Sequence, residues 1–308
     1  MTVAISGSTG LIGGAVYQRL RARTEVVRLG RRAQCDLQVD FARPDTVAAL
    51  DLRGCDAVVH CAGIVDEDFK TNPAAAYLQS TLGVSALARR AAACGVRRFV
   101  YFSSSHVYGS LTGRINEETP VNPLNDYAIA HYAAEQSLRR VALDRGLQVL
   151  SLRPNAVFGI PVEIDTFDRW GLIPFSFPLE AVYESRIKLL TTGQQRRNFV
   201  STVDLARLVD EFLNDSEGIE NFAVLNPVGP ATISVYEFAL LCAEKYRELT
   251  GSECGVERLH PDAAEKAAEF VFESSMPHLN PREDVGDYLI TFMSRILGDL
   301  EHGKRYGA

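Results

Sequence analysis

The stretch that decides the fold opens the chain and reads Thr2-Val3-Ala4-Ile5-Ser6-Gly7-Ser8-Thr9-Gly10-Leu11-Ile12-Gly13. Val3 to Ser6 is a short apolar run that predicts a buried strand, and Ala15 to Leu20 has helical periodicity. The three glycines between them keep GxxGxxG spacing, and glycine permits positive φ and close backbone approach. Because a helix N-terminus presents free N–H groups, we expect the turn from Gly7 to Gly13 to bind the pyrophosphate of a dinucleotide.

The alternation of strands and helices continues to about residue 155. Strands are predicted at Glu25–Leu29, Asp56–His60, Arg98–Ser103 and Gln148–Leu152, and helices at Pro44–Leu50, Pro73–Cys94 and Tyr127–Asp144. Such alternation implies parallel βαβ units. The predicted fold class is therefore α/β, with a Rossmann-type doubly wound parallel sheet in a nucleotide-binding domain over 1–155.

The alternation of strands and helices becomes less regular after Pro154, which indicates a second and smaller lobe. Residues 161–179 hold three prolines among aromatic residues and are predicted as an apolar-lined loop. Later segments are predicted as strands at Phe199–Val203 and Phe222–Leu225, and as helices at Val203–Leu213, Ser234–Leu249 and Val285–Leu300. We expect 156–308 to form a C-terminal substrate-binding lobe, interleaved so that 199–225 returns to the first domain.

Composition and charge exclude several classes of function. The 308 residues are 46% hydrophobic, and 32 basic against 39 acidic residues give a formal charge of −7, which disfavours nucleic acid as a partner. We see no signal peptide and no apolar stretch of about 20 residues, so no membrane association is expected. The six cysteines are scattered without zinc spacing, which predicts no metal site and reduced thiols in a cytoplasmic protein.

The end of the second predicted strand bears on the choice of cofactor. In dinucleotide-binding folds an acidic residue there accepts a hydrogen bond from the ribose 2′-OH. Here Gly30 occupies that place, and Arg31 and Arg32 follow it. Two arginines suit a 2′-phosphate, so NADP(H) is favoured, with NAD(H) as the alternative. The competing interpretation is that both arginines are solvated loop charges.

Further motifs follow the glycine turn, namely Asp40-Phe41, Val58-Val59-His60-Cys61-Ala62-Gly63, Phe99-Val100-Tyr101-Phe102-Ser103-Ser104-Ser105-His106-Val107-Tyr108-Gly109, Leu152-Arg153-Pro154, Val157-Phe158-Gly159, Arg197-Asn198-Phe199, Val203-Asp204-Leu205-Ala206 and Asn226-Pro227. With these motifs, over roughly residues 1 to 240, the sequence resembles the extended short-chain dehydrogenase/reductases that modify nucleotide-linked sugars. That family contains epimerases, 4,6-dehydratases and 4-ketosugar reductases.

The resemblance implies a role for individual residues. Ser104 would be the catalytic hydroxyl, with Ser105 as the runner-up, and Tyr127 the proton-transfer residue. Besides the glycine turn, the cofactor would contact Arg31, Arg32, Asp40, Phe41, Cys61, Ala62, Gly63, Tyr127, His131 and Pro154. The substrate would contact Ser105, His106, Asn155 and Arg197, with Arg197 on the pyrophosphate of the nucleotide. Ser105 and His106 stand where the family's dehydratases carry an Asp-Glu pair, which disfavours a dehydratase.

One departure from the family pattern concerns proton transfer. The family's Tyr-x-x-x-Lys is Tyr127-Ala128-Ile129-Ala130-His131 here, so the spacing is kept and the cation is changed. A tyrosine with a pKa near ~10 needs a neighbouring cation to act as a base, and a histidine with a reference pKa near ~6.5 is mostly neutral at pH 7.

We therefore expect Tyr127 to be a weak base and favour a reductase, in which the tyrosine starts protonated. His131 could still bond the nicotinamide ribose. A 4-epimerase that works through a transient ketone and a noncatalytic NAD(P)-binding protein remain the alternatives. Ala-rich faces on the helices Pro73–Cys94 and Tyr127–Asp144 also allow a homodimer.

Overall fold

The computed structural model describes residues 1–215, 220–259, 269–276 and 283–307. Its strands in chain order are β1 (Thr2–Ser6), β2 (Glu25–Gly30), β3 (Leu37–Gln38), β4 (Ala57–His60), β5 (Arg98–Phe102), β6 (Gly113–Ile115), β7 (Gln148–Leu152), β8 (Ala156–Phe158), β9 (Arg186–Leu189), β10 (Arg196–Ser201), β11 (Phe222–Leu225), β12 (Ala231–Ser234), β13 (Gly255–Arg258) and β14 (Phe270–Phe272). The helices are α1 (Leu11–Leu20), α2 (Pro44–Ala48), α3 (Asp66–Thr71), α4 (Pro73–Tyr77), α5 (Gly83–Ala93), α6 (Asp126–Arg145), α7 (Ile173–Glu184), α8 (Thr202–Asn214), α9 (Val235–Thr250) and α10 (Val285–Glu301).

Seven parallel strands form the main sheet in the order β11-β7-β5-β4-β1-β2-β3. Helices α2, α5 and α6 cover one face, where Leu87 and Leu138 are fully buried. Helices α1 and α8 cover the other face through Val16 and Leu205. Helices on both faces leave the strands buried on both sides, which explains their continuous apolar runs. The predicted doubly wound α/β fold is confirmed.

Three smaller sheets lie outside the main sheet, and the C-terminal part of the chain has a hydrophobic core of its own. Strands β12, β10 and β8 form one, β13 pairs with β9, and β14 pairs with β6. Helices α7, α9 and α10 bury Phe175, Phe238 and Phe292 in that core. Of the interleaved segment, β11 pairs with β7 in the main sheet and α8 packs on α1. Strand β10 instead pairs with β8 and β12, outside the main sheet.

Two predicted elements differ in the structure. The predicted loop over 161–179 is wrong at its end, because Ile173 begins α7. Pro174 lies in the first turn of this helix, where its missing N–H costs no hydrogen bond, and burial of the aromatic side chains stabilises the helix. The single helix predicted over Pro73–Cys94 is interrupted by a π-helical turn at Leu78–Leu82.

The described residues include no helix that combines the length and the apolar character needed to cross a bilayer. No group of three or more His, Cys, Asp and Glu side chains in this part of the chain is arranged to hold a metal ion.

Candidate active site

The glycine turn lies at the carboxyl end of β1 and leads into α1. Gly7 has φ of +69°, and a Cβ at this position would lie 2.6 Å from the backbone N of Ala62. A Cβ on Gly13 would lie 2.1 Å from the carbonyl oxygen of Gly7. No side chain caps α1, whose N-cap residue is Gly10. Bare backbone at an uncapped helix N-terminus leaves room and N–H donors for a phosphate group, so this turn fits a dinucleotide.

The predicted contacts for adenosine lie on β2, β3 and the segments that follow them. Phe41 is buried, with its ring edge against the His60 ring at 4.9 Å. The Asp40 carboxylate accepts a hydrogen bond from Ala42 N at 3.0 Å. A Cβ on Gly30 would lie 3.0 Å from Cys35 Sγ, so the local packing favours the glycine that replaces the acidic residue.

The two arginines after β2 differ in their contacts. Arg32 Nη1 lies 3.6 Å from Glu163 Oε2 and 3.5 Å from Thr166 Oγ1. Arg31 is exposed, and the described residues include no ion pair to its guanidinium. Arg31 is therefore an uncompensated cation at the end of β2, whereas Arg32 is tied to the segment after β8.

The ends of β1 and β4 are joined beneath the glycine turn. Ser6 Oγ lies 2.7 Å from Nδ1 of the buried His60 and accepts a hydrogen bond from Ala62 N at 3.3 Å. Burial raises the pKa of the Cys61 thiol, which keeps it protonated. Cys61, Ala62 and Gly63 thus follow β4 beside the turn, at the sheet edge where open α/β sheets bind their ligands.

Ser104 and Tyr127 meet at the next strand end. Ser104 follows β5, and its Oγ accepts a hydrogen bond from His106 N at 3.2 Å. Tyr127 lies in the first turn of α6, which Asn125 caps by accepting from Ala128 N at 2.8 Å. Burial raises the pKa of Tyr127, and a side-chain hydrogen bond with Ser104 opposes that rise. The phenol is therefore protonated at neutral pH and adjacent to a second hydroxyl.

Ser105 is placed differently from Ser104. It is fully buried, and its Oγ accepts a hydrogen bond from Asn155 Nδ2 at 2.8 Å. Its backbone N donates to Pro154 O at 3.0 Å. The amide oxygen of Asn155 in turn accepts from Asn198 N at 2.9 Å. These polar groups are engaged within the protein, whereas the hydroxyl of Ser104 is the one that hydrogen-bonds with Tyr127.

His131 follows Tyr127 by four residues on α6, where the resemblance implies a lysine. Its ring lies 4.5 Å from the Tyr127 ring at an interplanar angle of 71°. Nδ1 lies 2.7 Å from the hydroxyl oxygen of Tyr101, whereas Nε2 is buried without a hydrogen-bond partner among the described residues. Burial, helped by His106 and His60, lowers the pKa of His131 to about 3. The imidazole beside Tyr127 is thus neutral at physiological pH.

His106 lies beside Tyr127, and Arg197 lies close enough to His106 to affect its pKa. The His106 ring meets the Tyr127 ring edge-on at 6.1 Å, and burial and then Arg197 lower the pKa of His106. Arg197 is half-buried, its Nη1 donates to Arg196 O at 2.9 Å, and burial lowers its pKa. No carboxylate forms an ion pair with Arg197 within the described residues. A partly desolvated cation without a counter-ion is suited to bind an anion.

Sequence reasoning missed the buried groups that support this site. Tyr127, His131 and Glu135 follow one another at intervals of four residues on α6, and this spacing was the available signal. Glu135 is fully buried and accepts from Arg153 Nη2 at 2.5 Å and from Arg153 Nε at 2.9 Å. This ion pair fixes α6 to the end of β7. Tyr101 had no signal, because its contact with His131 joins residues that lie 30 positions apart.

Comparisons with known proteins identify the family to which the chain is similar. The profile of the NAD dependent epimerase/dehydratase family matches residues 3–226. A UDP-glucose 4-epimerase of Vibrio cholerae is 25% identical over 232 residues, which are 70% of this chain and 71% of the relative. A GDP-6-deoxy-D-mannose reductase of Pseudomonas aeruginosa is 34% identical over 216 residues, 68% of this chain and 66% of the relative. The structure of RMD from Pseudomonas aeruginosa complexed with NADPH superposes with a TM-score of 0.76 at 22% identity, covering 95% of this chain and 98% of that one.

Proposed function

Because the chain belongs to the NAD dependent epimerase/dehydratase family of extended short-chain dehydrogenase/reductases, we propose that it is an NADP(H)-preferring enzyme that reduces the keto group of a nucleotide-linked sugar. In this proposal residues 1–155 bind the dinucleotide, and residues 156–308 supply most of the substrate lobe. The similar proteins include a 4-epimerase of Vibrio cholerae and a reductase of Pseudomonas aeruginosa. The site must therefore be assigned to one of these two reactions.

The cofactor site rests on the glycine turn and the uncapped start of α1. The N–H groups there face the pyrophosphate, and Phe41 packs near the adenine. Arg31 provides the charge for a 2′-phosphate, in keeping with the NADPH complexed with RMD from Pseudomonas aeruginosa. The bound cofactor supplies the hydride that the carbonyl carbon accepts.

The assignment of the reaction direction rests on the protonation state of Tyr127. Its phenol is protonated at neutral pH, because burial raises its pKa and the ring beside it is an uncharged imidazole. A protonated phenol can donate its proton to a ketone oxygen as hydride reaches the carbon, which completes the reduction to an alcohol. Ser104 donates a hydrogen bond to the same oxygen, and the Tyr127 phenolate recovers its proton from solvent.

The substrate class rests on Arg197. A half-buried guanidinium close to His106, whose ring lies beside that of Tyr127, suits the diphosphate of a nucleotide, since charged hydrogen bonds are stronger away from water. The sugar would then extend from the diphosphate toward Tyr127 and Ser104. His106 lies within reach of this path.

A stoichiometric turnover assay tests the proposal. Nucleotide sugars are first screened by thermal shift with NADPH present, and NADPH oxidised is then compared with product formed. A reductase consumes one NADPH for each product molecule. Tyr127→Phe should lower kcat about 10²- to 10⁴-fold, because it removes the proton donor, without weakening NADPH binding by more than the loss of one hydrogen bond. Tyr288→Phe is the matched control, because that hydroxyl bonds Pro174 O in the C-terminal core.

Two other results would reject the proposal. Tightly held NAD in the purified protein, with sugar interconversion and no net cofactor consumption, would assign a 4-epimerase. Binding of NADPH without turnover of any ligand found by the screen, and an unchanged phenotype of Tyr127→Phe beside a loss in Gly10→Asp, would assign a noncatalytic binding protein.

A further inference from the structure

The side chain at position 131 has one nitrogen whose partner is missing from the described residues. His131 is only 5% exposed, and its Nε2 is fully buried and makes no hydrogen bond. A buried polar atom without a partner is costly, because it has lost its hydrogen bonds to water. Such an atom next to Tyr127 suggests a partner that arrives with a ligand.

The contact at the other nitrogen decides what Nε2 can offer. Tyr101 is 3% exposed, and its hydroxyl has His131 Nδ1 as its partner in the described part of the chain. If the phenol donates to Nδ1, its proton is satisfied and only the Nε2–H group remains unpaired. If Nδ1–H donates instead, both the phenol proton and the Nε2 lone pair are left unsatisfied. The first arrangement is therefore preferred.

Neighbouring groups provide no charge that would protonate the ring. His60 stacks on Tyr101 at 6.1 Å, and the His106 ring lies 6.1 Å from the Tyr127 ring. The buried carboxylate of Glu135, four residues further along α6, is engaged by Arg153 and by Ser151 Oγ at 3.2 Å. Burial keeps the imidazole neutral, consistent with a lowered pKa.

We infer that Tyr101 is a positioning residue, whose hydroxyl holds His131 in the Nε2–H tautomer so that position 131 donates an uncharged hydrogen bond to an oxygen of the bound nicotinamide dinucleotide. The inference rests on the proposed function for the identity of the ligand. It assigns to a tyrosine–histidine pair the hydrogen bond, without the charge, that a lysine would provide. Tyr127 is thereby left as an acid.

Nitrogen-15 NMR of histidine-labelled protein tests the tautomer without cofactor or turnover. At pH 7 the His131 ring should show an unprotonated Nδ1 and a protonated Nε2, with its signals assigned by their loss in His131→Gln. Tyr101→Phe should abolish this preference and give a mixture of tautomers or a protonated Nδ1. Tyr288→Phe also removes one buried phenol hydrogen bond and should leave the His131 signals unchanged.

Titration of each variant with NADPH tests the donor. Tyr101→Phe should weaken binding about threefold to tenfold, as expected for one misplaced hydrogen bond. His131→Gln can place an amide N–H near the position of Nε2 and should bind more tightly than His131→Asn, whose shorter amide corresponds to Nδ1. Tyr288→Phe should bind like the wild type.

The role of Tyr101, the donor role of His131 and the proposed function can each fail separately. A wild-type ring protonated at Nδ1, or nitrogen signals unchanged in Tyr101→Phe, would overturn the role of Tyr101 even if NADPH binds and turns over. A correct tautomer with equal NADPH affinity in His131→Gln and His131→Asn would overturn the donor role. A wild type that binds no nicotinamide dinucleotide would reject the proposed function and the recognition step, while the NMR result on the tautomer would stand.

Discussion

At the scale of single residues, position 131 changes the electrostatics of proton transfer. A lysine one helical turn from Tyr127 would stabilise the phenolate, since an opposite charge nearby favours the ionised form. The buried imidazole provides no such charge, and its pKa near 3 keeps it neutral through the physiological range. The pKa of Tyr127 is raised by the same burial. Both shifts favour a site in which the phenol gives a proton.

The pH dependence of reduction provides a test at this residue. Burial raises the pKa of Tyr127 and lowers that of His131, so neither group changes its charge in the physiological range, and kcat/KM for reduction should be flat there and fall only in the alkaline range. In His131→Lys the introduced ammonium favours the phenolate and lowers the pKa of Tyr127. The alkaline decline should then move to lower pH, as measured by the initial rate of NADPH oxidation.

Ile129→Lys is the control for this charge change. Ile129 lies on the same helix and is 42% exposed, so an ammonium there is screened by solvent. Its pH profile should match that of the wild type. If His131→Lys also leaves the profile unchanged, position 131 does not control Tyr127.

At the scale of elements, the local sequence pattern predicted the strands and helices whose residues lie close together in the sequence. The strand, turn and helix from Thr2 to Leu20 could be predicted because apolar runs and glycine spacing are visible within 20 residues. The short strands β8 and β12 could not, because each pairs with a distant segment, and although β10 overlaps the strand predicted at Phe199–Val203, its pairing with β8 and β12 could not be predicted either. Helix α7 was missed because prolines usually mark loops, whereas here burial of aromatic side chains against α9 and α10 stabilises the helix.

The glycine turn allows a sharp comparison of two alanine substitutions in helices. A Cβ on Gly13 would lie 2.1 Å from Gly7 O, whereas a Cβ on Gly298 in α10 would have no heavy atom within 4 Å. Gly13→Ala should lower the free energy of unfolding by about 1–3 kcal/mol through overpacking, and should also weaken NADPH binding. Gly298→Ala should raise that free energy by about 0.5–1 kcal/mol through helix propensity.

Urea unfolding measures both stabilities, and titration with NADPH measures the affinity. Equal and small effects of the two substitutions would contradict the close approach of α1 to the glycine turn.

At the scale of the whole molecule, the net charge of −7 does not show where the positively charged side chains lie. Arg197 and Arg31 have no carboxylate partner among the described residues, whereas most other arginines of this part of the chain are paired. The family resemblance inferred from the motifs is confirmed by the profile match over 3–226. The contact of Arg32 with Glu163 could not be predicted from the sequence, since the two residues lie 131 positions apart and meet only in the folded chain.

Cofactor preference is the prediction that belongs to this scale, because it depends on where the folded chain leaves a cation uncompensated. Arg31→Ala should weaken NADPH binding about tenfold to a hundredfold, as expected for charge-assisted hydrogen bonds to a phosphate, and should leave NADH binding nearly unchanged. Arg53→Ala is the control, since that exposed arginine is paired with Asp51 at 2.6 Å.

Glu163→Gln tests the same cluster of charges in the opposite direction, because it removes a negative charge instead of a positive one. Removing the carboxylate frees Arg32 from its 3.6 Å ion pair, so NADPH affinity should rise while NADH affinity stays the same. Added salt should reduce the preference for NADPH in every variant, because the contacts involve exposed charges. Equal losses for both cofactors in Arg31→Ala, or no loss for either, would mean that the arginines are solvated loop charges. The preference for NADP(H) would then be wrong, although the glycine turn would still account for dinucleotide binding.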